Sequence, residues 1–181
     1  MLRTITIAAA IVVAVTAFAA TSYALRSGDE PRLRAELAAS RLPATKLDST
    51  EAIRLNNLVS DVNVSRFGIT PASYDQVRVL GRTAAGLLYL IPGSRGECLA
   101  LSYAAACGDP GAPGQRLLAE VVRDPSRKRL VGGGIAIDSV RTVTLATRKR
   151  VLARVPVVDG VFTISAPARV RPGEGMHFVA R

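Results

Sequence analysis

Cys98 and Cys107 are the only two cysteines among the 181 residues. A cysteine becomes a nucleophile or a metal ligand only beside a basic or ligating partner. The chain offers a single histidine, His177, set between Met176 and Phe178 in a strand-like stretch near the C-terminus. Zinc or copper asks for several ligands at once, and no cluster of His, Cys and Asp surrounds it. We therefore expect no metal and no cofactor, and read His177 as a surface or half-buried side chain. A close, even pair of cysteines in an oxidising compartment reads as a disulfide. Their spacing lets Cys98 and Cys107 face one another across a hairpin turning near Ser102-Tyr103, a closure worth about 2–3 kcal/mol.

Other chemistry-bearing patterns fall short of a catalytic set. Gly132-Gly133-Gly134 imitates a phosphate-binding loop but lacks the following Lys-Ser/Thr and a helix start, so it is expected to form a turn into the next strand. No serine lies in Gly-x-Ser-x-Gly or Ser-x-x-Lys. Asp109, Asp124, Asp138 and Asp159 each sit beside turn residues or at strand ends, which is where aspartate forms turns. We expect no catalytic residues. Two basic runs stand out instead: Arg127-Lys128-Arg129, with Arg123 just before it, and Arg148-Lys149-Arg150 at the tip of an expected hairpin. Brought to one end of a sandwich, they make a positive patch able to hold phosphate or carboxylate groups of an anionic surface. Left apart, they are ordinary solvated turns.

The net charge is +10, from 24 basic against 14 acidic residues. Its meaning depends on where the chain works. Thr4 to Leu25 is an unbroken run of apolar and small residues behind Arg3, and charge returns at Arg26. Such a run is a cleavable signal peptide or a membrane anchor. Small residues at Ala17-Phe18-Ala19 and Ser22-Tyr23-Ala24 suit cleavage, and the length just suits a membrane span. Either outcome makes the rest extracytoplasmic, membrane-anchored or secreted. The partners then expected are the membrane, through the leader if it is uncleaved, and anionic lipid or wall polymer; nucleic acid is not expected.

The elements that would position these residues follow from period and punctuation. Leu33, Leu37 and Leu42 are loosely helical in spacing. A second helix opens at Asp48-Ser49-Thr50-Glu51, with Ser49 or Thr50 as its cap and Ile53, Leu55, Leu58 and Val59 facing inward. Thr70-Pro71 starts one or two further helical turns. Then the period becomes two. Strands are expected around 77–82, 87–91, 97–103, 116–122, 140–146, 151–158, 161–165 and 176–180, broken by Thr83–Gly86, Pro92-Gly93, the Asp109–Gly114 loop and the hairpin signal Asp159-Gly160. Val151, Ala153, Val155 and Val157 would share one face. The domain plan is a leader over 1–25, a partly helical spacer over 26–69 and an antiparallel β domain over 70–181. The fold class is mainly β, a small antiparallel sandwich or barrel preceded by the apolar helix and the helical spacer.

Val131 to Pro167 combines a VGGG entry, the strand DSVRTVTLA, a polar turn and RVPVVDGVFTIS. This stretch resembles a module in uncharacterised exported proteins of high-GC Gram-positive bacteria. In those proteins a Pro-Asp-Gly turn often precedes the valine strand; here Ala136-Ile137-Asp138-Ser139-Val140 takes its place. Upstream, LYLIPGSRGECLALS with the later Cys107 resembles the same proteins' cysteine-bearing hairpin. The resemblance implies a β-rich extracytoplasmic domain and brings no activity with it. The functional expectation is a non-enzymatic binding or structural module of the cell envelope, with an envelope-polymer hydrolase of unrecognised type as the alternative.

Overall fold

The structure, a computed structural model, describes residues 37–124, 126–168 and 175–181. The leader expected over 1–25 and the first part of the spacer lie outside the described residues. Among the described residues no helix is long and apolar enough to cross a membrane.

Among the described residues ten antiparallel strands form three open sheets. The first is a meander of β1 (Arg78–Thr83), β2 (Gly86–Gly93), β3 (Gly96–Leu101) and β4 (Ala104–Gly108). The second runs in the order β5-β6-β9, with β5 at Leu117–Asp124, β6 at Arg129–Ala136 and β9 at Val161–Pro167. The third has the order β10-β7-β8, from β10 (Met176–Ala180), β7 (Thr142–Thr147) and β8 (Val151–Pro156). The mainly β class expected from the strand spacing is therefore present, and no sheet closes into a barrel.

The side-chain period of two explains the layering. In β2 and β3, Leu88, Leu90, Leu99 and Leu101 turn one way, into a core shared with Leu118, Val122, Val131 and Ile135 of the second sheet. Tyr89, Ile91, Cys98 and Ala100 turn the other way, under a helical cover. A strand buried on both faces must read as a continuous apolar run, as LLYLI does. The second sheet is likewise covered on both sides. Its Leu130, Ala136, Phe162 and Ile164 pack with Val143 and Leu145 of the third sheet.

Helix α1 (Ser49–Leu58) begins one residue earlier than its expected caps, because the Asp48 carboxylate accepts the Glu51 N–H at 2.8 Å. It buries Leu55 and Val59, but Ile53 is 62% exposed, contrary to expectation. Two residues along a helix turn about 200°, so Ile53 and Leu55 cannot share a face. Helix α2 (Asp61–Phe67) was not foreseen. Ser60 caps it and Gly68, at φ 65°, ends it. That left-handed φ favours glycine, and a Cβ there, 2.0 Å from Ser94 Oγ, would also force the serine hydroxyl to turn away. The short α3 (Pro71–Tyr74) starts at Thr70-Pro71, where the Ser73 hydroxyl accepts the Thr70 N–H. Leu55, Val59 and Phe67 are core residues, and Leu37 and Ala39, ahead of α1, are buried as well. Leu37, Ala39, Leu55, Val59, Phe67 and Ile69, all within the stretch read as spacer or packed helix, thus share core clusters with strands of the first sheet.

Two other expectations are corrected. Gly132-Gly133-Gly134 is not a turn but the buried middle of β6. A Cβ there would lie 2.1 Å from the Glu120 carbonyl, 2.5 Å from that of Phe162 or 2.0 Å from that of Leu118, so the flanking strands leave no room for a side chain. Asp159-Gly160 does make the tight turn, with φ of 51° and 72° and one antiparallel bridge between Val158 and Val161. No ladder follows. The chain leaves the third sheet and enters the second, where β9 pairs with β6.

Gly134→Ala is expected to destabilise the fold by at least about 1–3 kcal/mol, the range for an overpacked core. Its urea midpoint should fall accordingly; an unchanged midpoint would contradict the placement of this glycine inside β6.

Candidate functional site

Cys98 and Cys107 stand directly opposite in the β3–β4 ladder and form a disulfide, with Cα atoms 4.0 Å apart. The intervening turn falls at Ser102-Tyr103, as expected. The bridge faces the helical cover, where Cys98 is buried in the core under α1 and α2. It acts as a staple.

The four hairpin turns β1–β2, β3–β4, β5–β6 and β7–β8 share one end of the fold. In the meander, the first two must lie together. The Tyr103 hydroxyl donates to the Arg123 carbonyl at 2.7 Å, and Arg127 donates to the Ala84 carbonyl at 3.4 Å, which brings the β5–β6 turn beside both. At the start of β6, Arg129 pairs with Pro167 at the end of β9. The tight turn at Asp159-Gly160 reverses the chain, so β8 begins at the end where β9 finishes. The β7–β8 turn lies at that end as well.

The basic residues singled out from sequence are thereby gathered. Arg127 and Lys128 lie in the β5–β6 turn with Arg129 opening β6, Arg148, Lys149 and Arg150 lie in the β7–β8 turn, and all six are exposed. Arg82 of β1, which sequence reasoning missed, joins them. Among the described residues acidic company is sparse there. Asp124 accepts the Ser126 hydroxyl at 2.6 Å and the N–H groups of Ser126 and Arg127, and lies 3.8 Å from the Arg127 guanidinium. The Ser126 hydroxyl, chiefly, holds its carboxyl below the usual range. Arg129 donates to Ser165 Oγ at 2.8 Å and keeps its charge exposed. The opposite end mixes its signs: Asp138 lies 3.6 Å from Arg41 and accepts the Ala38 N–H, and Asp109 and Asp159 lie in its loops.

Beside the β1–β2 and β3–β4 turns is an open hollow of about 280 Å³ lined by Glu51, Arg54, Arg82, Leu87, Tyr89 and Ser102, among others. Glu51 and Arg54, three residues apart on α1, form a two-pronged ion pair at 2.7 and 2.8 Å. Arg54 also donates to the carbonyl of Ser102, whose φ of 55° is unusual for a residue with a side chain, and its guanidinium carbon lies 5.9 Å from the centre of the Tyr89 ring. This contact ties α1 to the β3–β4 turn. Arg54 holds the Glu51 carboxyl down at about 2, and burial, with the Glu51 carboxylate next in weight, pushes the Tyr89 phenol up to about 12. The i, i+3 spacing of the ion pair was readable in the sequence; its partner on β2 was not.

His177 is exposed in β10, an edge strand. Among the described residues no group of three or more His, Cys, Asp or Glu side chains is placed to hold a metal ion. Glu120 is half-buried, and burial raises its pKa against the one N–H it accepts, from Val121 at 3.1 Å. Val151 does not join the inward face expected for β8. A register shift opposite Leu145 and Ala146 rotates it out, and it is 57% exposed.

No family model matches this chain, and neither a curated protein nor a solved structure matches it.

A carboxyl whose folded pKa is depressed contributes stability above its unfolded value and loses it as pH falls through the folded value. Glu51 should therefore titrate near 2 by NMR rather than near 4.5. The stability lost on Glu51→Gln should shrink as pH falls between those values, a modest effect for so exposed a pair. Titration near 4.5, or a pH-independent difference, would contradict the ion pair.

Proposed function

We propose that this chain is a non-enzymatic binding module of the cell envelope, working outside the cytoplasm, that docks its basic end on anionic groups. One observation carries the reading: four hairpin turns meet at one end and bring Arg82, Arg123, Arg127, Lys128, Arg129, Arg148, Lys149 and Arg150 together, while two acids described near them, Glu51 and Asp124, form ion pairs of their own. Guanidinium and ammonium groups spread over several turns suit a surface of repeated phosphates or carboxylates better than one small ion. The apolar leader, and a disulfide of a kind rare in reducing compartments, support a site of action beyond the cytoplasm. So does the resemblance of residues 131–167 to exported proteins. The hollow beside Tyr89 holds one carboxylate, neutralised by Arg54, and so lacks the paired acids that glycoside hydrolysis uses.

The test is retention of the full chain, kept in a non-ionic detergent, on a phosphate-bearing matrix. Each cation near an anionic surface contributes about 1 kcal/mol, so Arg148→Ala/Lys149→Ala/Arg150→Ala should weaken binding roughly 100-fold and elute at much lower salt. Arg95→Ala/Arg116→Ala/Arg141→Ala removes the same charge from the opposite end and should change little. Equal losses from both variants, or salt-insensitive retention, would sink the proposal.

A further inference from the structure

The basic end carries more than charge. Six large apolar or aromatic side chains are prominently exposed among the described residues: Ile53, Val62, Tyr103, Val151, Val158 and Met176. Three of them stand among the cations. Tyr103 is 64% exposed in the β3–β4 turn, and its hydroxyl bond to the Arg123 carbonyl fixes it against the β5–β6 hairpin. Val151 directly follows Arg148-Lys149-Arg150. Met176, 43% exposed, pairs in register with Thr147, the residue that closes the same turn. The Thr147 N–H donates to the Arg150 carbonyl, and the Thr147 hydroxyl oxygen accepts the N–H groups of Lys149 and Arg150. The turn is thus held in shape, with cations at its tip and Val151 and Met176 at its shoulder.

This mixture separates two kinds of anionic partner. A soluble polyanion is engaged by cations alone and gains nothing from an exposed valine or methionine. A bilayer surface uses both. Headgroup phosphates attract Lys and Arg, while aliphatic side chains enter the acyl boundary and tyrosine sits at the headgroup level. Breadth agrees with this. Sheets stack about 10 Å apart, so the ends of three sheets make a face roughly 20 Å across rather than a groove. Resting on the reading of the basic end as an anion-binding face, we propose that its partner is an anionic lipid bilayer, with Tyr103, Val151 and Met176 entering the interface while the surrounding arginines and lysines hold headgroup phosphates.

The chain contains no tryptophan, so Tyr103→Trp makes a single local probe that reports insertion even when the leader also holds the protein to a vesicle. Full-length Tyr103→Trp would be mixed with vesicles of phosphatidylcholine containing about a third phosphatidylglycerol, with phosphatidylcholine vesicles alone, and with soluble polyphosphate. The expected result is a blue-shifted emission quenched by brominated lipid on the anionic vesicles only. Adding Val151→Ser/Met176→Ser should cut that quenching at least twofold. Adding Val158→Ser, an equally exposed residue at the opposite end, should leave it unchanged. An unquenched probe, or quenching indifferent to Val151→Ser/Met176→Ser, overturns the inference. If polyphosphate is then bound in a manner that depends on Arg148, Lys149 and Arg150, the anion-binding reading survives with a polymer as partner. Loss of that charge dependence as well would refute the reading itself.

Discussion

The second sheet must be covered on both faces at once, and the rest of the molecule depends on that constraint. Strand β6 presents Val131 and Ile135 to the first sheet and Leu130 and Ala136 to the third. Between those pairs come three glycines whose missing side chains let β5 and β9 close in on either side. Burial of two faces on so narrow an element drives three sheets into one stack. Once the sheets are stacked antiparallel, the hairpin turns have little freedom in where they fall. The convergence of β1–β2, β3–β4, β5–β6 and β7–β8 at one end is a consequence of connectivity, and the placement of charge follows from it.

Local rigidity is supplied where that end meets the helical cover. The disulfide staples β3 to β4, and Arg54 reaches from α1 to the carbonyl of Ser102 at the tip of the same hairpin. Glu51 neutralises Arg54 and so lets a cation serve a structural purpose without joining the exposed positive set. Tyr103, beside Ser102, is fixed in turn by its hydroxyl bond to the β5–β6 hairpin. The turns at this end are thus ordered by contacts within the fold itself.

Much of this was legible in the sequence, for identifiable reasons. The alternation at 77–82, the apolar run at 87–91 and the turn formers between strands are local signals, and β1 to β3 follow them. So does the cysteine pair, because a two-residue turn at Ser102-Tyr103 leaves Cys98 and Cys107 equidistant from it. Other features needed information that no local pattern carries. Asp159-Gly160 specifies a turn but not which sheet receives the strand after it. Gly132-Gly133-Gly134 reads as a flexible turn until the strands on both sides are known to crowd it. The two basic runs were visible, yet their meeting, and the company of Arg82, Val151 and Met176, arise from stacking between residues distant in the chain.

The central claim is that stacking, and it can be measured without any ligand. A nitroxide placed at Lys149→Cys should broaden the amide resonances of residues 82–86, 102–103, 124, 126–129 and 175–177 through space. Residues 94–95, 109–115 and 158–160, a strand's length of roughly 20–25 Å away, should be affected much less. Broadening concentrated at that second set, with the β1–β2 and β5–β6 turns untouched, would contradict the shared end and the surface built on it.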